Sequence, residues 1–337
     1  MEEPPKPPKF GLLKFPFPLR EQVIRNMEFM DVFHFSTLSK RSKNMVRSAK
    51  YQTYRINFDF DDDDSSMDHV EVDFNEGRED FKISLSDSED PSKRNPYRLD
   101  GLELANLIDE PSDDYRKKMS SHILFIHHSK WTSVRFGRNF EHVNDLYLWD
   151  VTKQFDSVIL SGDDKLHITP KYLQSILNST KAKKYTLDFK IEDINFEYQE
   201  PLDCEQLIVV GTIQWLDTDN FLKRNPNLKL LQGKHLPGEK INDLLKQWIN
   251  GEAVDLKELV LLKGRGYPAD VIFDGILTME TKLTEDQVKR ISLCWNKDGK
   301  TVDIQRKIDG KLATVHINQS GCFVSMCNEK RLYKLQH

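Results

Sequence analysis

The stretch FPFPLREQVIRNMEFMDVFHFSTLSKRSKNMV, residues 15–46, concentrates apolar side chains near the N-terminus. Apolar residues other than proline fill 14 of its 32 positions, about 44%, against 38% for the whole chain. Several recur at the spacing of one helix face, namely Leu19, Val23, Met27 and Met30. Asp31 could begin a second helix, and Ser36 or Thr37 a third. Such short helices bury too little surface to be stable alone, so we expect this segment to have a partner inside or outside the chain.

Length and charge narrow the possible classes of protein. At roughly 150 residues per domain, 337 residues suggest about two domains. The net charge of -5 lacks the basic excess expected of a nucleic-acid binder. No run approaches the ~18 apolar residues of a membrane span, and MEEPPKPPKF at the N-terminus does not resemble a secretory signal. We therefore expect no nucleic-acid or membrane partner, free cysteines, and a location in the cytoplasm, the nucleus or both.

Composition divides the chain into four segments. We predict a proline-rich disordered tail over 1–14, a helical segment over 15–50, an acidic, partly β or disordered segment over 51–120, and a strand–helix domain over 121–335. Between 59 and 90 there are 14 acidic residues against two basic ones. The run DDDD at 61–64 lacks the central glycine of a calcium loop, which favours a solvated acidic stretch. VEVDF and FKISL alternate and predict one β-hairpin around NEGRED.

From about residue 122 onward, strand-like runs alternate with helix-like runs. The predicted strands are SHILFIHH (121–128), DLYLWD (145–150), KKYTLDF (183–189), EQLIVVG (205–211), NLKLLQG (227–233) and LKELVLL (256–262). The predicted helices are TPKYLQSILNST (169–180), with Thr169 as N-cap, LDTDNFLKRNP (216–226), and PGEKINDLLKQWING (237–251), with Gly251 at its end. A unit of this kind, repeating at 20, 23 and 29 residues, predicts a degenerate leucine-rich-repeat-like domain; an ordinary α/β domain is the alternative.

The C-terminal runs are short and rich in β-forming residues. They are RISLCW, TVDIQRKI, KLATVHI and CFVSMC. The dipeptides Asp298-Gly299 and Asp309-Gly310 lie between them and indicate hairpins, the second with a two-residue turn. The expected fold class is therefore α+β or α/β, with small N-terminal helices, the strand–helix domain, and a short antiparallel sheet that closes it.

The motifs of catalysis and metal binding are missing from the sequence. It has no GxGxxG, GxxxxGK[ST], GxSxG or HExxH pattern. His127 and His128 are adjacent, so in a strand they would point to opposite faces and could not share one metal ion. Cys322 and Cys327 lack a second pair of ligands for zinc. We expect no cofactor and a binding protein instead of an enzyme, although an enzyme with an unrecognised site remains possible.

The 15–46 segment resembles an F-box. That family's pattern begins Leu-Pro, here Phe15-Pro16, and its apolar positions fall on Leu19, Val23, Met27 and Val32. The usual ending appears as FSTLSKRSK (35–43), whereas the usual Asp-Pro between the first two helices is replaced by Glu28-Phe29. F-box domains dock on a Skp-type adaptor, and through it on a cullin, so the resemblance implies the same partners for this chain. The residues that it implies for adaptor contact are Phe15, Pro16, Leu19, Val23, Ile24, Met27, Val32, Phe33 and Leu38.

The remainder, roughly 120–327, is similar to the associated region of the large nematode-type F-box families. INDLLKQWING followed by LKELVLL, then DIQRKIDGKLATVHI and FVSMC, carry this resemblance. It implies the non-catalytic substrate receptor of a Skp–cullin–F-box ubiquitin ligase, whose C-terminal domain captures a protein substrate that the sequence does not name. The alternative is a regulatory or interaction module with a degenerate F-box and no ligase.

Strand alternation predicts which side chains of the repeat-like domain face a substrate. If Tyr185, Leu187 and Phe189 point to the core, their neighbours point outward, and the same rule applies around Leu228 and Leu230. The substrate-binding residues predicted in this way are Thr186, Asp188, Lys190, Lys229 and Leu231. Such a surface, mixed in charge with one bare leucine, suits a protein partner.

Overall fold

The computed structural model describes residues 11–60, 69–73, 80–84, 113–137, 143–263, 266–291 and 297–326. They form two compact units. The first unit comprises Met1–Asn57 and His69–Thr132, and the second comprises Phe58–Asp68 and Ser133–His337. The acidic run at 61–64, both ends of the chain, Cys294 and Cys327 lie outside the described residues, so the predictions made for them stay predictions.

In its described residues, the first unit contains four α-helices and several β-strands. Its elements are a 3-10 helix Leu12–Lys14, α1 Phe17–Arg25, α2 Phe29–Thr37, α3 Lys40–Ala49, β1 Gln52–Phe60, β2 His69–Asp73, β3 Asp80–Ser84, α4 Asp113–Ile126 and β4 His128–Phe136, of which β1 and β4 end in the second unit. The strands β2 and β3 are antiparallel, with Val70 opposite Ile83, which confirms the predicted hairpin.

Local sequence sets the helix boundaries of the first unit. Pro16 precedes α1, and Pro18 lies in its first turn, where a missing N–H costs nothing. The helix α3 begins after Ser39, whose hydroxyl accepts a hydrogen bond from the Ser42 N–H at 3.1 Å. Three helices therefore form as expected, but α2 begins at Phe29 instead of near Asp31, and Ser39 is the cap instead of Ser36 or Thr37.

The predicted strand SHILFIHH is wrong, because residues 121–126 belong to the helix α4. Met119, Ile123 and Ile126 are buried at the spacing of one helix face, whereas Lys118 and Ser121 are exposed. A short apolar run reads alike for a strand and for a buried helix segment, and long-range packing decides between them. Here the helix brings its apolar face to the N-terminal helices.

The second unit is built on parallel strands with helical connections. Its first elements are β5 Gln154–Ile168, α5 Pro170–Ser179, β6 Lys181–Ile191, β7 Gln206–Thr212, α6 Phe221–Arg224, β8 Leu230–Lys234, α7 Gly238–Ile249 and β9 Glu258–Leu262. Each strand from β5 to β9 pairs in parallel with the next. Thr169 caps α5 as predicted, and Gly251 follows α7 with a φ of 98°.

An antiparallel portion closes this sheet. Its elements are α8 Ala269–Ile272, β10 Met279–Glu280, α9 Glu285–Ile291, β11 Lys300–Gln305, β12 Leu312–Asn318 and β13 Gly321–Met326. The strand order is β10-β11-β12-β13-β9-β8-β7-β6-β5, and residues 133–136 of β4 pair in parallel with β5. N-terminal helices followed by a strand-rich region with a mixed sheet confirm the coarse fold, while the leucine-rich-repeat-like character stays a prediction.

Three local predictions for the second unit need correction. DLYLWD forms 3-10 turns, Val143–Asp145 and Tyr147–Asp150, in which Tyr147, Leu148 and Trp149 are all buried. A short apolar run of this kind fits a buried turn as well as a strand covered on both faces, so the pattern did not distinguish them. The first two residues of RISLCW belong to α9. The Asp309-Gly310 turn is wider than two residues: Arg306 and Lys311 close it, and only Gly310 of the pair has a positive φ, 70°.

Leu231 was predicted to point outward, and this is also wrong. It is fully buried, whereas Leu230 is partly exposed. The strand β8 begins only at Leu230, so Leu228 is buried in the preceding loop and does not set the phase of the strand. The inward directions predicted for Tyr185, Leu187 and Phe189 on β6 are confirmed by their burial.

Candidate functional site

An exposed apolar surface lies on the N-terminal helices. Four of the nine large apolar side chains that are exposed among the described residues fall within 15–38. Their exposed fractions are 38% for Phe15, 50% for Phe17, 48% for Leu19 and 70% for Leu38. We call these four residues the apolar docking surface. A cluster of exposed apolar side chains marks a contact surface for another protein, which makes these four residues candidates for such a contact.

The nine residues expected to contact an adaptor fall into three groups. Phe15, Leu19 and Leu38 are in the apolar docking surface, and Pro16 is exposed beside them. The side chains of Val23 and Met27 are partly exposed. The remaining three, Ile24, Val32 and Phe33, are buried within the first unit. A partner that docks on this unit without changing its conformation would not contact them.

Phe17 was not predicted as a contact residue, because helical periodicity does not put it on the face that carries Leu19 and Val23. It is the first residue of α1, between Pro16 and Pro18, where no preceding turn exists to cover it. The guanidinium of Arg20 lies 5.7 Å from the centre of its ring. The motif FPFP was the available signal, since two prolines fix the backbone around a single aromatic residue.

The helix α4 is the partner that the N-terminal helices need, and it comes from within the chain. Its residues Met119, Ile123 and Ile126 are buried, as are Phe29 and Val46 on α2 and α3. The contact continues at its edge, where the Arg47 guanidinium and the Lys43 ammonium lie 4.3 and 4.6 Å from the ring centre of Phe125. The core of the first unit is therefore shared between α1–α3 and a helix that begins more than sixty residues later.

Two histidines, His122 in α4 and His127 directly after it, are held neutral in this core. The Ser36 Oγ lies 2.7 Å from the His122 Nε2. Burial, with the nearby charge of Lys43, lowers the pKa of His122 to about 4. Burial lowers the pKa of His127 to about 3, with smaller effects from His122 and His128. Low pH is therefore expected to oppose this packing.

The adjacent His127 and His128 do not form a metal site. His127 is buried, and its ring lies 5.4 Å from that of Phe29, whereas His128 is exposed with its Nε2 3.1 Å from the Arg47 carbonyl oxygen. Within the described ranges, no group of three or more His, Cys, Asp or Glu residues could hold a metal ion. In the same ranges, no helix has the length and apolar character needed to cross a membrane.

The second unit has a polar cavity of about 370 Å³ beside the N-terminal ends of its parallel strands. Its lining includes Lys183 and Lys229, whose Nζ atoms pair with carboxylate oxygens of Asp156 and Glu205 at 2.7 and 2.8 Å. The hydrogen bond from Lys183 to Asp156 raises the pKa of Lys183. Cys204 also lines the cavity, but burial raises the pKa of its thiol to about 12, which makes it a poor nucleophile.

The five predicted substrate residues do not form one surface. Thr186 and Asp188 are partly exposed and Lys190 is exposed, all on the face of β6 opposite the buried Tyr185. Lys229 lines the polar cavity with Glu205, and Leu231 is in the core. Three of the five predicted residues, Thr186, Asp188 and Lys190, therefore lie together on one face of the sheet.

The family comparison bears on the N-terminal helices. Residues 12–52 match the F-box domain. The match spans the 3-10 helix, α1–α3 and the start of β1, and it supports an F-box protein. It also supports, in general terms, a role as a ubiquitin-ligase adaptor, since F-box domains bind Skp-type adaptors. The curated proteins and the solved structures give no significant match.

Proposed function

We propose that this chain is a substrate-recognition subunit of a Skp–cullin–F-box ubiquitin ligase. The F-box match over residues 12–52, which contains the whole apolar docking surface, carries the proposal. In this proposal the first unit binds a Skp-type adaptor, and through it a cullin, while the second unit captures a protein substrate. The chain itself is not an enzyme, needs no cofactor and acts in the cytoplasm, the nucleus or both.

The second unit is the proposed associated region of the nematode-type F-box families. The successive parallel strands β5–β9 support a leucine-rich-repeat-like interpretation, because each strand pairs with the one before it in chain order and three of the four connections contain a helix. Such an arrangement exposes one face of the sheet along several strands, which suits the capture of a protein.

The test measures binding of a purified Skp-type adaptor to the full chain. We expect Leu19→Asp combined with Leu38→Asp to weaken binding at least ~10-fold, because each variant places a carboxylate in an apolar contact. Both positions are exposed, so the fold should persist. The matched control is Ile194→Asp in the second unit, where the side chain is 85% exposed. Unchanged adaptor binding by the double variant would contradict the proposal.

A second candidate is an interaction or regulatory module that does not join a ligase. The replacement of the family's Leu-Pro start by Phe15-Pro16 and of its Asp-Pro by Glu28-Phe29 favours it. For this candidate, the intact chain would bind a protein partner through the second unit yet fail to capture adaptor and cullin together.

A further inference from the structure

The outer face of the parallel sheet, meaning the side opposite the buried row that contains Tyr185, is partly exposed across β5–β8. The hydroxyl of Tyr185 donates a hydrogen bond to the Thr180 carbonyl oxygen at 3.0 Å, just after α5, so Tyr185 marks the helix-covered side. On the other side one row of neighbours crosses four strands, and all four are partly exposed. In order of strands they are Ile159, Thr186, Ile208 and Gln232.

The rows on each side add further apolar area and an excess of positive charge. Leu230 and Val210 are partly exposed on this face beside the central row. Three lysines on it, Lys184, Lys190 and Lys234, make no ion pair in the part of the chain that the structure describes. Among the residues of β5–β8 whose side chains the structure describes, Asp188 is the single carboxylate on the same face, so these residues give the face a net positive charge on a chain whose net charge is -5.

The contrast with nearby lysines shows that this charge is uncompensated. Around the polar cavity, Lys183 and Lys229 each bind a carboxylate, and Lys240 binds Glu197 at 2.8 Å. Carboxylates are therefore present in the second unit, but among the described residues none forms an ion pair with Lys184, Lys190 or Lys234. An apolar row flanked by unpaired lysines is complementary to a ligand that carries apolar side chains and carboxylates.

We propose that the outer face of β5–β8 binds an acidic, aliphatic-rich segment of a protein substrate. The aliphatic side chains of the segment cover Ile159 and Ile208, and its carboxylates pair with Lys190 and Lys234. Because β6 and β8 are separated by β7, these two lysines lie about 10 Å apart. Residues three apart in a polyproline II segment are about 9 Å apart and project to the same side, so a segment in this conformation can present two carboxylates to both lysines. This inference rests on the proposed substrate-receptor function and adds the chemistry of the substrate.

The probe is a library of random 12-residue peptides displayed on phage and selected on the immobilised full chain. We expect the enriched peptides to combine at least two Asp or Glu residues with aliphatic residues. Binding of the best peptide should fall at least tenfold for Lys190→Glu combined with Lys234→Glu, and also for Ile208→Asp. The matched control, Lys171→Glu combined with Lys223→Glu, makes the same charge change at exposed positions of α5 and α6 and should bind as the unmodified chain does.

A charge exchange then locates the contact. The best peptide with its acidic residues replaced by Lys should bind the Lys190→Glu, Lys234→Glu variant better than it binds the unmodified chain. Enrichment of basic or uncharged peptides would overturn the proposal. So would acidic peptides that bind the Lys190→Glu, Lys234→Glu variant as well as they bind the unmodified chain. Adaptor binding is measured on the unmodified chain and on the same variants. If the unmodified chain does not bind the adaptor, the ligase function alone is refuted. If the variants bind the adaptor normally but bind the peptide differently, the result concerns only the sheet face.

Discussion

Replacing Ile123 by alanine tests whether α4 completes the core of the F-box helices. Ile123 has no exposed area, and its neighbours one turn away on the same face, Met119 and Ile126, are buried too. Deleting three heavy atoms at such a site costs about 2–5 kcal/mol, the transfer free energy plus the cavity that remains. A whole domain is stable by only about 5–15 kcal/mol, so this is a large fraction of the total. The helices α1–α3 should lose stability together with α4.

Hydrogen exchange measures this loss locally, which global unfolding of a chain with two units would not. A destabilisation of ~3 kcal/mol should lower amide protection in α1–α3 roughly 100-fold. The matched control is Ile194→Ala, the same chemical change at a side chain that is 85% exposed, where the expected effect is within ~0.5 kcal/mol. If Ile123→Ala destabilised α4 but left protection in α1–α3 unchanged, the shared core would be refuted.

Three further predictions concern pH, a turn and a buried cation. The pKa of His122 is about 4 in the folded chain against 6.5 for the free side chain, so the unfolded chain binds more protons between these values. Stability of the first unit should fall by at least ~1 kcal/mol as pH drops from about 6.5 to 4, which melting curves across this range check; His122→Gln should reduce this dependence, while His127, whose pKa burial also lowers, keeps part of it. Gly310→Val places a β-branched residue at a φ of 70° and should cost about 1–3 kcal/mol in denaturant unfolding, with Gly299 unsuitable as a control because a side chain there would strike His316. Arg306→Met removes a buried guanidinium that binds both carboxylate oxygens of Asp309, at 2.9 and 2.6 Å, and the Val254 carbonyl oxygen at 3.0 Å. It should destabilise the chain in denaturant unfolding by about 1–3 kcal/mol, because the Val254 carbonyl loses its donor, whereas Lys307→Met at the exposed neighbouring position should change unfolding little.

Features that depend on neighbouring residues were predictable from the sequence. The start of α5 at Thr169 and Pro170 and the end of α7 before Gly251 follow from capping and from backbone preference, which act within one turn. The hairpin of β2 and β3 follows from alternation. These signals are short-range, so they do not depend on how the rest of the chain packs.

Features decided by distant packing were not predictable in this way. The run around Ile123 became a helix because the F-box helices present an apolar surface to it, and no local pattern reveals that surface. The direction predicted for Leu231 was wrong because β8 begins at Leu230, so Leu228 does not belong to the strand and does not indicate which side chains point inward. In the candidate site, periodicity identified Leu19 and the family resemblance added Leu38, but neither identified Phe17, whose exposure follows from its place at the first residue of α1.

The separation of α4 from the other helices along the chain also delays the completion of the shared core during biosynthesis. The F-box match ends at residue 52 and α4 ends at Ile126, so a ribosome must add more than seventy residues before the shared core is complete. At about 5–20 residues per second, this takes roughly 4–15 s, during which α4 is not yet present to cover the surface that Ile123 later contacts. Chaperones that bind apolar surface would find it in the nascent chain, and truncation before residue 113 would leave the helices in that state permanently.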